Sequence, residues 1–138
     1  MASRTDLNIL VVDDDVGAAK ALGRLLRAYG HTVRVSYTAR EGLELAFRIK
    51  PDLILQDIAM SPIDGYEAAR RLREMPSLSG TTLIACSGSV EEKQARAAGF
   101  DGWLVKPISE GDLHAVLTIV LQRVNQTAAK NESNSAPE

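Results

Sequence analysis

The chain has 138 residues, 45% apolar and 25% charged, with a net charge of −2, values that are typical of one globular domain and exclude an acidic disordered chain. Sixteen Lys and Arg against eighteen Asp and Glu leave no basic surplus to drive nucleic-acid binding. The single cysteine, Cys86, excludes an internal disulfide, and the lack of a long apolar run or an apolar leader predicts a cytoplasmic chain without a membrane segment.

The first half of the chain contains three segments of strand length. Residues 7–12 and 52–55 are nearly continuous apolar runs, which is typical of central parallel strands covered on both faces. Residues 32–36 alternate polar and apolar side chains, as an edge strand does. Between the segments 7–12 and 32–36, apolar residues recur at helical spacing, and Gly30 marks the end of the predicted helix. The predicted core stripe of this helix comprises Ala18, Leu22, Leu25 and Tyr29.

The second half repeats the alternation of strand and helix. Residues 83–86 predict another central strand, and residues 103–105 predict a short last strand. Gly99 is expected to end the fourth helix. The last helix carries a long apolar stripe at helical spacing. Its members are Leu113, Val116, Leu117, Val120, Leu121 and Val124.

Four helix starts are predicted from a capping side chain that stands three residues before a carboxylate. The four pairs are Thr38 with Glu41, Asp64 with Glu67, Ser89 with Glu92, and Ser109 with Asp112. Arg70, Arg71 and Arg73 alternate with acidic residues in the third helix. We therefore expect these three arginines on a solvent-exposed helix face.

These elements predict an α/β fold, a flavodoxin-like doubly wound (βα)5 three-layer sandwich with a parallel sheet of order 2-1-3-4-5. The folded domain is expected to span residues 7–125, preceded by an N-terminal extension at residues 1–6. Residues 126–138 contain no large apolar side chain. We expect them to form a disordered polar tail.

Polar residues follow the carboxyl ends of four predicted strands, where open parallel sheets bind their ligands. Asp13 and Asp14 follow the first strand, Asp57 the third, Ser87 the fourth and Lys106 the fifth. Two carboxylates on adjacent strands would repel by roughly 4 kcal/mol at about 4 Å and an effective dielectric constant of about 20. A hard divalent cation relieves this repulsion, so the pattern predicts Mg²⁺, with Mn²⁺ as an alternative.

Such a site suits phosphoryl transfer to a carboxylate. Asp57 stands alone at its strand end and is the best candidate for the nucleophile, whereas the aspartates after the first strand are better suited to holding metal. Mg²⁺, Lys106 and the Ser87 hydroxyl would hold the phosphoryl oxygens. Asp15 is expected to start the first helix rather than to bind metal.

Four sequence segments resemble the signature regions of receiver domains of two-component response regulators. They are VVDDD at residues 11–15, PDLILQDIAMSPIDGYE at 51–67, ACSG at 85–88 and AGFDGWLVKP at 98–107. The resemblance covers about residues 7–124. It implies a switch module rather than an enzyme, which receives a phosphoryl group from a histidine kinase or a histidine phosphotransfer protein and then acts on a downstream protein target.

Carried over residue by residue, the resemblance implies one role for each site residue. Asp13, Asp14 and Asp57 would bind the metal through carboxylates, and Ala59 through its backbone carbonyl. Asp57 would also be the phosphoacceptor. The remaining implied roles are Ser87 as the switch hydroxyl, Lys106 as the phosphate-binding residue with a cis bond to Pro107, and Trp103 as the switch aromatic.

The sequence departs from the family pattern in three places. Ser61 and Pro62 stand where the family has Pro and Gly, Trp replaces the commoner Tyr or Phe at position 103, and the segment from Ser87 to Lys106 is about one helical turn short. The short fourth helix reduces the face through which many receivers dimerise. We therefore expect a monomer that signals through a different protein.

The sequence leaves two other functions open. A small Mg²⁺-dependent phosphohydrolase of the haloacid-dehalogenase type has a D-x-D motif, which Asp13 and Asp15 meet, although Gly17 stands where that family has Thr or Val. A receiver-like scaffold that is never phosphorylated is the second. The chain is expected to be a stand-alone receiver, and a piece of a hybrid kinase or of a longer regulator is the alternative.

Overall fold

The computed structural model describes residues 3–135, which form five strands and five α-helices in strict alternation. The elements are β1 (Asn8–Val12), α1 (Val16–Ala28), β2 (Thr32–Ser36), α2 (Ala39–Ile49), β3 (Leu53–Asp57), α3 (Gly65–Arg73), β4 (Thr82–Ser87), α4 (Glu92–Ala98), β5 (Gly102–Val105) and α5 (Glu110–Ser135). A short 3₁₀ turn, Pro76–Leu78, lies between α3 and β4. Each predicted strand is present, with bounds that differ from the prediction by at most two residues.

The five strands form one parallel sheet in the order β2-β1-β3-β4-β5, which confirms the predicted topology. The order reverses between β1 and β3, so these two neighbours feed helices on opposite faces of the sheet. In the register, Val12 lies opposite both Ser36 and Gln56. The carboxyl ends of β1 and β3 therefore meet at one edge.

An apolar layer covers each face of the sheet. Because successive side chains of a strand point to opposite faces, β1 sends Leu10 and Val12 into one layer and Ile9 and Val11 into the other. Helices α2, α3 and α4 pack on the first layer, and α1 and α5 pack on the second. Because helices cover both faces of the sheet, the sequences of β1, β3 and β4 are nearly continuous apolar runs.

The buried face of α1 differs from the predicted stripe by one position. Ala19 and Leu26 are at most 1% exposed, whereas Ala18 lies in solvent. The remaining predicted positions are half-buried: Leu22, Leu25 and Tyr29. Gly23 sits in the middle of the buried line, where a Cβ would lie 3.0 Å from Val35 Cγ2. The lack of a side chain at Gly23 allows α1 to approach β2 closely on the helix face that also buries Ala19 and Leu26.

Three of the four predicted helix caps are confirmed. Thr38, Asp64 and Ser109 each accept a hydrogen bond from the amide three residues further on, at 3.1, 2.9 and 3.1 Å. The fourth prediction, Ser89, is wrong, because α4 begins only after Glu91. The amide of Ser89 instead donates towards Ser87 Oγ at 3.4 Å. The two predicted helix-ending glycines, Gly30 and Gly99, have φ values of 99° and 106°.

Helix α5 continues to Ser135, whereas residues 126–138 were expected to be disordered. Residues 136–138 lie outside the described residues. Extending a helix that is already nucleated and packed adds one hydrogen bond per residue, so residues 126–135 need no apolar anchor to remain helical. The side chains of residues 126–131 are exposed, so the lack of large apolar residues there is compatible with a helix whose side chains lie in solvent.

The predicted N-terminal extension is anchored to the domain through Arg4. Its guanidinium contacts both carboxylate oxygens of Asp52, at 2.6 and 3.1 Å, and Asp52 also accepts from the Asn8 amide at 2.7 Å. The Arg4 backbone exchanges two hydrogen bonds with the Asn125 side chain of α5, at 2.9 and 3.1 Å. Residues before β1 therefore join the start of β3 to the last helix.

Arg73 does not lie on a solvated face as expected. Its guanidinium donates to the carbonyl oxygens of Gly99 and Thr81 at 2.8 and 3.0 Å and pairs with Asp101 at 2.8 Å. Asp101 also accepts from the Leu83 amide at 2.8 Å. Arg73 thus joins the end of α3 to the loops that precede β4 and β5.

Replacing Arg73 with Ala is expected to lower the free energy of unfolding by about 2–3 kcal/mol, because two backbone carbonyls and one carboxylate lose their donor. Arg70 is the matched control, since its side chain is exposed and pairs with Glu67 on the same helix. Its replacement by Ala should change the free energy of unfolding by less than about 0.5 kcal/mol. Urea denaturation of both variants measures the difference, and equal losses would contradict this role of Arg73.

His31 is a buried acceptor at the start of β2. Its Nδ1 accepts a hydrogen bond from the Leu7 amide at 3.0 Å, which requires that this nitrogen carries no proton. Burial lowers the pKa of His31, and the charge of Asp6 only partly opposes this. Because the unfolded chain then binds more protons, the free energy of unfolding should fall as the pH decreases from about 6.5, the ordinary histidine value, towards the lower folded value.

The variant His31→Gln keeps an acceptor oxygen but does not titrate. It should therefore lose less stability than the wild-type protein between about pH 7.5 and about pH 5.5. His114→Gln is the control, because His114 is exposed and lies beside the Tyr29 ring, at 4.5 Å between centroids. Urea denaturation at both pH values tests this, and the same pH dependence in all three proteins would exclude His31 as its source.

Candidate functional site at the carboxyl edge of the sheet

The predicted site residues come together at the carboxyl edge of the sheet. Asp13 follows β1, Asp57 ends β3, Ser87 ends β4 and Lys106 follows β5. The backbone ladder continues one residue beyond two strands, since the Asp13 amide donates to the Ser36 carbonyl at 3.0 Å and the Lys106 amide donates to the Ser87 carbonyl at 2.8 Å. Sheet hydrogen bonds therefore hold the backbone from which these side chains extend.

Three carboxylates form a cluster at this edge. Asp13, Asp14 and Asp57 each place an oxygen within 4.8 Å of the others, as the sequence predicted. Asp13 and Asp57 are buried, at 7% and 6% exposure, whereas Asp14 is exposed. Hard oxygen donors that converge in this way, with one side open to solvent, fit Mg²⁺, which binds few carboxylates and keeps several waters.

Asp15 does not join the cluster. Its side chain accepts from the Ala18 amide at 3.1 Å and so caps α1, as expected. Its own amide donates to Asp13 Oδ1 at 2.9 Å, which orients the Asp13 carboxylate. The second aspartate that a D-x-D phosphohydrolase motif would need is therefore occupied as a helix cap.

Lys106 supplies the positive charge within this group. Its Nζ lies 2.9 Å from Asp13 Oδ2 and 3.1 Å from Asp57 Oδ1. Burial lowers the pKa of Lys106, but the hydrogen bonds to Asp13 and Asp57 and their charges outweigh burial, so the pKa is raised overall. Lys106 therefore remains an ammonium at neutral pH and binds one oxygen of each buried carboxylate.

Burial disfavours the ionised form of the Asp57 carboxylate. Burial raises its pKa and the nearby charge of Asp13 raises it further, while the hydrogen bond from Lys106 opposes both. A cation placed among the three carboxylates would favour the ionised form. A divalent ion bound at this cluster would therefore favour the ionised carboxylate of Asp57.

The other predicted site residues lie around this cluster. Ser87 is half-buried and pairs in register with Val105. Ala59 is exposed, two residues beyond Asp57, in a loop where the Met60 amide donates to the Ile58 carbonyl at 2.9 Å. The peptide bond between Lys106 and Pro107 is cis, as the resemblance implied, and so is the bond from Ser61 to Pro62.

Trp103 occupies a position between core and surface. It lies opposite Ala85 in the register and is half-buried against the layer formed by α2, α3 and α4. The Arg96 guanidinium from α4 lies 5.1 Å from the centroid of its ring. Packing and a cation–π contact therefore hold the indole between β5 and α4.

An apolar cleft beside the cluster was not predicted from the sequence. It has a volume of about 310 Å³ and lies between α1 and the turn that leads into α5, with Asp13 and Lys106 at one end. Cys86 is one of its lining residues, and burial raises the pKa of that thiol to about 12. Cys86 is therefore a buried thiol of low reactivity that packs as an apolar residue.

Comparison with known proteins decides the family. The family model described as the response regulator receiver domain matches residues 9–118. The chain belongs to this family. It is a receiver domain of two-component response regulators, and this is not in itself a family of catalytic enzymes. Response regulators interact with histidine kinases. The alternatives of a phosphohydrolase and a receiver-like scaffold are not favoured.

Individual relatives agree with this assignment. The chain is 35% identical over 116 residues to an uncharacterized 14.6 kDa protein from Leptolyngbya boryana, covering 82% of this chain and 88% of that protein. It is 30% identical over 126 residues to the transcriptional regulatory protein AfsQ1 of Streptomyces coelicolor, covering 91% of this chain and 56% of that protein. The chain thus spans about half the length of such transcriptional regulators.

The fold also matches solved receiver structures. The chemotaxis response regulator CheY4 of Vibrio cholerae superposes with a TM-score of 0.78 at 26% identity, covering 84% of this receiver and 99% of that chain. None of the helices in residues 3–135 is both long enough and apolar enough to cross a lipid bilayer.

Addition of Mg²⁺ is expected to raise the melting temperature of the wild-type receiver, because an ion that binds only the folded protein stabilises it. The variant Asp14→Asn should lose most of this increase, since one of the three carboxylates is removed. Asp15→Asn is the neighbouring control and should keep the increase, because its side chain caps α1 instead. An equal Mg²⁺ effect in both variants would show that the ion binds elsewhere.

Proposed function

We propose that this receiver takes a phosphoryl group on Asp57 in a Mg²⁺-dependent reaction and thereby changes which protein it binds. The observation that supports this most directly is the contact of one ammonium, Lys106, with the buried carboxylates of Asp13 and Asp57 at 2.9 and 3.1 Å. An incoming phosphoryl group is a dianion and would be repelled by a carboxylate. It can approach a carboxylate nucleophile whose charge is neutralised and which faces solvent on one side.

The chemistry is a displacement at phosphorus. A carboxylate oxygen of Asp57 attacks the phosphorus of a partner's phosphohistidine, the P–O bond forms as the P–N bond breaks, and the imidazole leaves with the electron pair. Mg²⁺, held by Asp13, Asp14, Asp57 and the Ala59 carbonyl, would neutralise charge on the phosphoryl oxygens when bound. Mn²⁺ has similar ligand preferences and could replace it.

Protein groups orient the transferred phosphoryl. The Lys106 ammonium already lies at Asp57 Oδ1 and would pair with a phosphoryl oxygen after transfer. The Ser87 hydroxyl at the end of β4 would donate to another oxygen, and movement of the loop after β4 towards the site would alter the packing of Trp103. Ser87 and Trp103 are therefore the proposed switch residues. Through them, phosphorylation of Asp57 would change the surface formed by α4 and β5.

The proposed phosphodonor is a histidine kinase or a histidine phosphotransfer protein. The donor must bring a phosphohistidine to the open side of the carboxylate cluster, so it has to cover the loops that follow β1, β3 and β5. The downstream target is proposed to be another protein, because the net charge of −2 offers no basic surplus for nucleic acid.

Incubation with a small acyl phosphate and Mg²⁺ should raise the intact mass by one phosphoryl group, and Asp57→Asn should abolish the gain. Asp64→Asn is a suitable control, because Asp64 only caps α3 at the far end of the same loop. Intact-mass spectrometry measures the labelling. Undiminished labelling of the Asp57 variant would place the acceptor at another residue and overturn the proposal.

We propose further that the phosphorylated receiver stays monomeric. Helix α4 has only seven residues, and its side chains Glu92, Lys93 and Arg96 are exposed and charged. The exposed apolar residues nearby are Val105 on β5 and Ile119 on α5. Two such residues and a short charged helix offer little towards the roughly 1,200–2,000 Å² that a stable interface buries.

Light scattering after size exclusion, with and without Mg²⁺ and beryllofluoride, tests the assembly state. The expected result is the mass of one chain under both conditions. A doubled mass that requires Asp57 would contradict it, and Ile119→Asp would then locate the interface if it restored the monomer.

A further inference from the structure

Gln56, the residue before the phosphoacceptor, is a buried polar side chain in an apolar layer. It is 2% exposed and lies in register between Val12 and Ala85, which both belong to the layer under α2, α3 and α4. An amide in such surroundings is unfavourable unless its polar atoms are hydrogen-bonded. The contacts of its amide nitrogen therefore indicate what Gln56 does.

The Gln56 amide nitrogen has two contacts, and both lie in the segment that carries the site. Nε2 donates to the backbone carbonyl of Asp57 at 3.1 Å and to Met60 Sδ at 3.5 Å. A primary amide has two N–H bonds, so one side chain can serve both acceptors. Residues 57 and 60 are thus held by the same group, and Ala59 lies between them.

The opposite side of this segment is closed by the start of α3. The Gly65 amide donates to the Ile58 carbonyl at 2.9 Å. A Cβ at Gly65 would overlap the Asp57 carbonyl oxygen and would lie 2.6 Å from Ile58 Cα. The Asp57 carbonyl is therefore enclosed between the backbone of Gly65 and the amide of Gln56.

We propose that Gln56 is a positioning residue for the Mg²⁺ and phosphoryl chemistry of Asp57, an inference that rests on the proposed function. Its amide holds the backbone of residues 57–60 in one conformation, so that the Asp57 carboxylate and the Ala59 carbonyl can serve the same ion. Groups that orient metal ligands without touching the metal commonly change affinity or activity by roughly ten- to a hundredfold when they are removed.

The test compares Gln56→Leu with Ile54→Ala. Leucine keeps the apolar bulk but cannot donate a hydrogen bond. Ile54 is a 1% exposed residue on the same strand and the same face, two positions further from Asp57. Both variants alter the same apolar layer. If Gln56 acts by positioning, its loss should raise the Mg²⁺ dissociation constant roughly tenfold or more, while Ile54→Ala should leave it within about twofold of wild type.

Isothermal titration with Mg²⁺ alone measures the dissociation constant, and urea denaturation of the same samples measures stability. A second readout is the rate of Asp57 labelling by an acyl phosphate at saturating Mg²⁺, which should also fall in Gln56→Leu. If that variant fails to fold, Gln56→Met, with a flexible side chain of similar size, replaces it.

Each result decides between the proposals. Wild-type affinity and labelling in a folded Gln56 variant would overturn the positioning role and leave the proposed function intact. Equal weakening in the Gln56 variant and Ile54→Ala would also overturn the positioning role, because a general loss of packing would then explain both. A wild-type receiver that takes no phosphoryl on Asp57 would overturn the proposed function and this inference with it.

Discussion

The Lys106 ammonium lies between two buried carboxylates, Asp13 and Asp57, that belong to different strands. Asp13 is 7% exposed and Asp57 is 6% exposed. A negative charge on a side chain buried this deeply is unfavourable unless a cation lies beside it. Lys106 follows β5, whereas Asp13 follows β1, and β3 and β4 lie between them in the sheet. The long flexible side chain of a lysine can bridge that gap, so one contact draws the ends of β1, β3 and β5 into a common site.

The two edges of the sheet differ in how their charges are balanced. At the amino edge, Asp52 and Asp101 each accept from an arginine and from a backbone amide. At the carboxyl edge, within the described residues, the cluster of three carboxylates contacts one ammonium. The amino edge is thus satisfied and stabilises the fold, whereas the carboxyl edge keeps an excess of negative charge that an added cation would relieve.

Much of the fold could be predicted because apolar periodicity reports which faces are covered. The apolar runs at β1, β3 and β4 are buried on both faces of the sheet. Because strands alternate with helices along the chain, the general rules for parallel sheets predict the strand order. The convergence of Asp13, Asp57 and Lys106 was predictable for a related reason, since the strand ends of a parallel sheet share an edge. Ser89 was mistaken for a helix cap because a capping pattern is local, while the start of α4 depends on the turn that follows Ser87.

The sequence by itself determined the strand order, the family and the identity of the acidic cluster, because each depends on residue type and spacing along the chain. Only the tertiary structure decided which side chains lose water and which partners they meet. Arg73 and Arg70 are alike in the sequence, yet one is enclosed by carbonyls from distant loops and the other remains in solvent. Gln56 likewise gave no signal in the sequence, because its amide acquires a role only when the strand, the loop and the start of α3 close around the Asp57 carbonyl.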